Sequence, residues 1–457
     1  MTDRPDVLIV GAGPAGMQAA LRCRALGLSV ALLDEQGGPG GQIFRHIEHA
    51  DQRARKVFGD DYAAGHALAR DFLGSGTTYL RHARVWEVAP GPLVYALVGG
   101  HSRVFEPRRV ILATGAMERP APAPGWTLPG VIGAGAAQIL MKSSGLVPEG
   151  PFVLAGSGPL LYLLAQQLLR VGARPAALVD TTSPGNRMRA VGPLAGALGS
   201  WRVLLKGLGM LGDIRRAGIP VYAGATHLAF EGDGRVTGVA FRHRGRPHAL
   251  PANVVLTHQG VVPDTQLTRA LRVPHAWSDS QLCWLPATSA LGELSSAQGI
   301  FLAGDAAGIA GAQAARLRGE VCAWAVGEQL GVVDPRRRAR ETDALLRRLE
   351  RWRALRKFLD TLYRPADGQR IPDDDVLVCR CEEISAGTIR GFVREGCLGP
   401  NQAKAFGRCG MGPCQGRQCG LAMAEIIADE RGVEVGQVDV LRARFPVKPV
   451  MLQDLIV

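Results

Sequence analysis

No apolar run in this sequence reaches the roughly 20 residues that a membrane-spanning helix needs. The first residues lead straight into a hydrophobic strand, with no charged segment and apolar stretch of the signal-peptide kind. Both absences predict a soluble, cytoplasmic chain without a transmembrane segment. A disulfide framework is missing too: six of the nine cysteines crowd between Cys379 and Cys419, leaving Cys23, Cys283 and Cys322 apart. Acidic residues are in deficit, 41 against 53 Lys and Arg, giving a net charge of +12. Such an excess raises the question of nucleic acid. Here it is mostly arginine spread along the chain, densest from Pro335 to Arg356, where Leu345, Leu346, Leu349, Trp352 and Leu355 interrupt it at helical spacing. That pattern predicts an amphipathic helix with a solvated or subunit-covered basic face, and no nucleic-acid partner. No Ser/His/Asp or paired-carboxylate constellation stands out, so the catalytic residues are unknown. His46 and His49 lack the carboxylates of a metal site, and His258, closing a strand, is expected in packing, with an approach to a bound cofactor as the alternative.

Against these absences stand 59 glycines, 47 % apolar residues and only 5 % aromatics. This balance fits an α/β protein with sizeable cores and glycines at strand–helix turns. The length of 457 residues suggests about three domains. Val7 to Val10 reads as a buried parallel strand, followed by a helix from Gly16 to Leu26 and a strand from Val30 to Leu33. Residues 104–114 read as another strand. After a proline-rich hinge from Pro120 to Pro129 the pattern restarts at Phe152, with a strand from Ala176 to Val179. Residues 254–257 and 300–303 read as further strands. The repeat predicts two Rossmann-like units.

Gly11-Ala12-Gly13-Pro14-Ala15-Gly16 joins strand to helix as G-x-G-x-x-G. Gly11 makes the tight turn, Gly13 admits a pyrophosphate, and Gly16 lets helix and strand pack closely. Pro14 and Ala15, within the motif, are counted with its glycines as cofactor-binding, and the helix that follows has free N–H groups facing the phosphates. Asp34, 23 residues after Gly11 and followed by Glu35, ends the second strand where an acid bonds the adenosine ribose. Two later features, Ala113-Thr114-Gly115 and Gly304-Asp305, make this region resemble the glutathione-reductase-like flavoproteins with two dinucleotide-binding domains. That resemblance covers roughly residues 1–330 and implies FAD. It places Asp305 at the ribityl and phosphate part, Gly40 to Ile43 (with Gly41 and Gln42) beside the isoalloxazine, and Val85 at the adenine. A helix starting near Ala310 to Ala312 would then direct its N-terminus at the flavin.

The second loop, Gly156-Ser157-Gly158-Pro159-Leu160-Leu161, ends in leucine where a glycine belongs. Leu161 is expected to push helix from strand and crowd the phosphates, leaving a degenerate site. Asp180, 24 residues after Gly156, would prefer NAD to NADP if a dinucleotide bound. No C-x-x-C lies near the flavin region, so a disulfide reductase is not expected.

Cys379-Arg380-Cys381 opens a small module that closes on Cys409-Gly-Met-Gly-Pro-Cys414-Gln-Gly-Arg-Gln-Cys419. Clustered thiolates among glycines suit an iron–sulfur cluster. The module resembles the [2Fe-2S] domain of bacterioferritin-associated ferredoxin, which has C-x-C, about thirty residues, then a close cysteine pair. Here 32 residues separate Cys381 from Cys414. The metal ligands implied are Cys379, Cys381, Cys414 and Cys419. Cys409 is an alternative to Cys414 or Cys419, because Cys409 and Cys414 are also C-x4-C. Cys397 reads as core, and zinc is the alternative metal.

Along residues 1–450 the chain resembles the alpha subunit of heteromeric amino-acid, opine and hydroxyproline dehydrogenases, a group that includes a hydrogen cyanide synthase subunit. The resemblance rests on Gly11–Gly16, Pro159-Leu160-Leu161, Gly304-Asp305 and the string from Arg408 to Arg417. It implies an α/β fold with two Rossmann-like domains plus a small helical C-terminal [2Fe-2S] domain. The domains expected are 1–120 with 246–330 for FAD, 121–245 for the second Rossmann-like unit, 331–372 as basic connector, 373–435 for the cluster, and 436–457 as tail. It also implies electron transfer from a catalytic FAD-dependent beta subunit to an acceptor, in some members with an FMN at the subunit interface. Two rivals remain: a self-contained NAD(P)H-dependent reductase, and a non-catalytic iron–sulfur sensor or scaffold.

Overall fold

The computed structural model describes residues 4–455, and they form two compact units. The first holds the chain up to Met117, Val262–Arg353, and the residues from Arg442 on. The second holds Glu118–Val261 and Ala354–Leu441. Both are built on a parallel five-stranded sheet, and the fold is α/β with two Rossmann-type units.

In the first unit the sheet runs in the order Ile300–Leu302, Arg109–Leu112, Val7–Val10, Val30–Leu33, Thr78–Leu80. Val7–Val10 lies at its centre, every residue buried, so apolar side chains are needed on both faces. The strand expected over 104–114 is two strands. His101–Phe105 belongs to a separate antiparallel sheet with Leu93–Val98, and Arg109–Leu112 joins the parallel one. Pro107 lies between them and has no N–H to continue a ladder. The helices Pro14–Ala25 and Ala312–Gln329 pack closely, because Gly319 has no side chain where Ala15 passes. From the tail, Val447 N–H donates to the Trp86 carbonyl at 2.9 Å.

In the second unit the order is Val221–Ala223, Ala177–Asp180, Phe152–Gly156, Val254–His258, Val131–Gly133. Val254–His258 pairs along its whole length with Phe152–Gly156, which puts residues 246–261 in this unit. The cysteine module is a small helical body here, with helices Ala386–Arg394, Pro400–Gly407 and Gly420–Arg431. Val378, Ile389, Met423, Ile426 and Ile427 form its core.

The arginine-rich stretch is the helix Pro335–Leu362, with Leu345, Leu349 and Leu355 buried, as the spacing requires. Among the described residues no helix is long and apolar enough to cross a membrane.

Candidate flavin cradle and cysteine centre

Each glycine of the first loop meets a different neighbour. Gly11 has φ +105°, and a Cβ there would lie 2.5 Å from the Ala113 carbonyl oxygen. A Cβ on Gly16 would run into the Gly11 carbonyl. A Cβ on Gly13 would meet only the Gly41 Cα, at 4.0 Å. The tight contacts are thus made at Gly11 and Gly16, while Gly13 faces space. Gly13 is also the N-cap of Pro14–Ala25, with no capping side chain and no acid in the first turn. This bare amide end beside an open glycine is what a pyrophosphate fits.

Around the loop, Gly41 packs on Gly13, and the Gln42 side-chain amide donates to the Ala116 carbonyl at 3.3 Å. Gly115 has φ +74° and no atom near its Cβ position. Thr114 Oγ1 donates to the Asp264 carbonyl at 3.1 Å, which holds the end of Arg109–Leu112. Asp305 accepts from Ala310 N–H at 2.9 Å and Gly311 N–H at 3.1 Å, ahead of the helix Ala312–Gln329. Arg318 bonds the Gly304 and Gly308 carbonyls at 3.0 and 2.6 Å, fixing the turn that presents Asp305. Val85 is a buried residue of the strand Arg84–Ala89.

The two acids after the second strand divide their work. Asp34 is buried and accepts from Ala12 N–H and, at 2.7 Å, from Gln36 N–H. Burial pushes its carboxyl above the usual carboxylate range. Glu35 is more exposed and pairs with Lys448 from the tail. Asp34 therefore shapes the loop, and Glu35 is the exposed carboxylate of the two.

The second loop is filled by the chain itself. Asp180 is 1 % exposed. Its carboxylate accepts from Tyr162 Oη at 2.7 Å and Thr182 N–H at 2.8 Å. The His258 ring lies where a Cβ on Gly158 would be, 2.8 Å away at Cδ2, and its Nδ1 bonds Glu118 at 2.6 Å. Residues 363–369 are tied to the same edge: Ser157 bonds the Tyr363 carbonyl at 3.4 Å, Asn186 the Arg364 carbonyl at 2.8 Å, and Gln259 the Gln369 side chain at 3.1 Å. Leu161 is fully buried in the helix–sheet interface. The chain's own groups occupy the ribose acid and the loop glycine.

Five cysteines meet in the module. The sulfurs of Cys379, Cys409 and Cys419, all buried, lie within 4.8 Å of one another. Cys379 accepts from the thiols of Cys409 and Cys419 and from the N–H groups of Gly410 and Glu382. Those bonds hold its thiol far down, at about 2, while Cys409 and Cys419 are pushed up by the thiolate beside them. Cys381, exposed, and Cys414, half-buried, form a second pair, with Cys414 N–H donating to the Cys381 sulfur. Gly412 leaves the space that the Cys381 side chain fills. Soft thiolates in close groups with backbone N–H···S bonds are a donor set that fits an iron–sulfur cluster. Cys397 stands outside, bonding the Gly399 carbonyl at 3.4 Å. Cys23 and Cys322 are buried in the first unit, where burial raises both thiols, Cys322 to about 12.

Residues 5–184 match the pyridine nucleotide-disulphide oxidoreductase family, and residues 376–456 match the sarcosine oxidase A3 domain. An opine oxidase subunit of Rhizobium meliloti is 44 % identical over 98 % of this chain and 87 % of its own length. The chain belongs to this family of opine oxidase subunits. The hydrogen cyanide synthase subunit HcnB of Pseudomonas aeruginosa is 33 % identical over 97 % of this chain and 96 % of its own. In fold, the chain is similar to the L-proline dehydrogenase from P. horikoshii: the TM-score is 0.72 at 20 % identity, covering 99 % of this chain and 79 % of that one.

Three features of this family member carry no local sequence signal. Lys448 reaches Glu35 across 413 positions, and His258 reaches Glu118 across 140. The segment 363–369 reads as the end of a connector, yet it fills the second loop.

Proposed function

We propose that this chain is the electron-transfer subunit of a heteromeric, flavin-dependent amine or amino-acid dehydrogenase of the opine oxidase kind. In this reading FAD binds the first unit, a [2Fe-2S] cluster binds the cysteine module, and a partner subunit oxidises the substrate. The observation that carries it is the contrast between the two nucleotide loops. The first is bare at its helix terminus, with Gly13 facing space. The second has its ribose acid and loop glycine taken by Tyr162, Thr182 and His258. A chain with one usable dinucleotide cradle and no assigned acid–base pair receives reducing equivalents from elsewhere.

FAD accepts two electrons and a [2Fe-2S] cluster one, which is the chemistry these groups supply when bound. The protein's part is to hold them. The N–H groups opening Pro14–Ala25 and the Asp305 turn bind the phosphates and ribityl chain, with Gly11, Pro14, Ala15, Gly16, Ala113 and Gly304 as close-packed floor. Gly41, Gln42 and Gly115 border the ring, Val85 borders the adenine, and Glu35 meets the ribose at the rim. Cys379, Cys381, Cys414 and Cys419 hold the cluster. The names of the relatives, the opine oxidase subunit of Rhizobium meliloti first among them, support a hetero-oligomer and a substrate with a C–N bond to oxidise.

The test is anaerobic absorbance of the purified chain. Flavin bands and a cluster shoulder are expected, NADH leaves both oxidised, and amine substrate bleaches them only after the partner subunit is added. Prompt bleaching by NADH would show the second loop to be open and make the chain a reductase.

A further inference from the structure

We propose that Cys409 is an interchangeable ligand of the cluster, sharing with Cys419 one thiolate position on the buried iron beside Cys379. This rests on the cluster reading above. Tetrahedral thiolates about 2.3 Å from a metal stand about 3.8 Å apart. The three sulfurs within 4.8 Å of one another are all in reach of one ion. Each iron of a [2Fe-2S] cluster takes two cysteines, because the bridging sulfides fill its other places. Cys381 and Cys414, the outer pair, take one iron. The inner iron then has three sulfurs for two positions.

The contacts say which one is fixed. Each of the three thiols touches the other two, and what sets Cys379 apart is that it also receives two backbone N–H groups, from Gly410 and Glu382. Cys409 and Cys419 are delivered to it by different elements. Cys409 follows Arg408, which ends the helix Pro400–Gly407 in a left-handed conformation with φ 60°. Cys419 is the N-cap of Gly420–Arg431, and its side chain makes no capping bond to that helix. Burial alone does not gather cysteines here, since Cys397 is equally buried and bonds a carbonyl instead. Spacing allows either partner, because both 409–414 and 414–419 are C-x4-C.

Exchange needs no redox partner. The iron–sulfur bond to Cys419 breaks, the bond to Cys409 forms, and the Cys409 thiol proton passes to the released Cys419 sulfur. Either arrangement leaves one thiol donating to a ligated sulfur.

The experiment uses the full chain, loaded with FAD and reconstituted anaerobically with iron and sulfide. Alanine variants are used because a serine oxygen can itself bind iron. Cys419→Ala and Cys409→Ala should each retain most of the iron and sulfide, and the double variant should lose them. FAD content reports whether each variant folds, and Cys397→Ala serves as a packing control that keeps the cluster. As a second measurement, the dithionite-reduced wild type should give two sets of EPR g values, and each single variant one. If Cys419→Ala loses iron as completely as the double variant with FAD intact, or Cys409→Ala leaves a single unchanged signal, exchange is overturned while the cluster reading stands. If the wild type takes up FAD but neither iron nor sulfide, the cluster reading falls and this inference with it.

Discussion

Gly13 and Gly16 stand three residues apart in one motif and do different jobs, and substitution should separate them. A Cβ on Gly16 meets the Gly11 carbonyl, so Gly16→Ala must part strand from helix. A Cβ on Gly13 meets only the Gly41 Cα at 4.0 Å, so Gly13→Ala should fold normally and block the phosphates instead. The expected result is a Gly13→Ala protein with near-wild-type melting of the apo form and little bound FAD. Gly16→Ala should also lose apo stability, by roughly 1–3 kcal/mol as overpacking does. Urea melts and the ratio of flavin to protein absorbance check both. The close packing at Gly11 and Gly16 was legible in the sequence, because it follows from a local turn. The sequence did not show which of Asp34 and Glu35 faces outward. That depends on the Ala12 and Gln36 amides that Asp34 meets, and on Lys448, which comes from the far end of the chain.

The segment between Val30–Leu33 and Gly40–Gly41 is held by a fork. Arg81, just after Thr78–Leu80, donates to both Glu48 oxygens at 2.9 and 3.0 Å and to the Gly37 carbonyl at 2.8 Å. The Arg81 hydrogen bonds keep the Glu48 carboxyl below its ordinary value of 4.5. For a lowered carboxyl the contribution is complete above the unfolded value and is lost as pH falls through the folded one. Both partners are partly exposed, so the pair contributes about 0.5–1 kcal/mol. FAD release, followed by flavin fluorescence, should rise as pH drops below about 4.5. Arg81→Ala should release more FAD at neutral pH and show a shallower acid dependence; equal acid profiles would remove the fork from flavin retention. Elements were legible where an unbroken apolar run or a helical period marked them, as in Val7–Val10 and Pro335–Leu362. At the second loop the sequence pointed to Leu161, a local misfit. The groups that fill the loop, Tyr162 and Thr182 aside, come from residues 258 and 363–369, and no window of sequence joins them.

At the scale of the molecule, an exposed apolar face lies on the second unit. Trp201, Leu205 and Leu208 follow one side of the helix Trp201–Arg216 at 54, 54 and 63 % exposure, and Met188, Val191 and Leu198 just before it are exposed as well. Contiguous apolar surface of this kind marks a protein contact, and the proposed function gives it one occupant, the substrate-oxidising partner. Leu205→Glu with Leu208→Glu should leave FAD content unchanged and abolish co-purification with that partner. Undiminished co-purification would put the contact on another face.

The division of the chain has a consequence for how the protein is made. The glycine loop leaves the ribosome well before the rest of its own unit, because Ile300–Leu302 closes its sheet and Lys448 reaches Glu35. Synthesis of the second unit, cysteine module included, is finished before the last piece of the first unit emerges. A chain cut short just before Arg442 would therefore keep all nine of these cysteines and lack Lys448, the partner of Glu35.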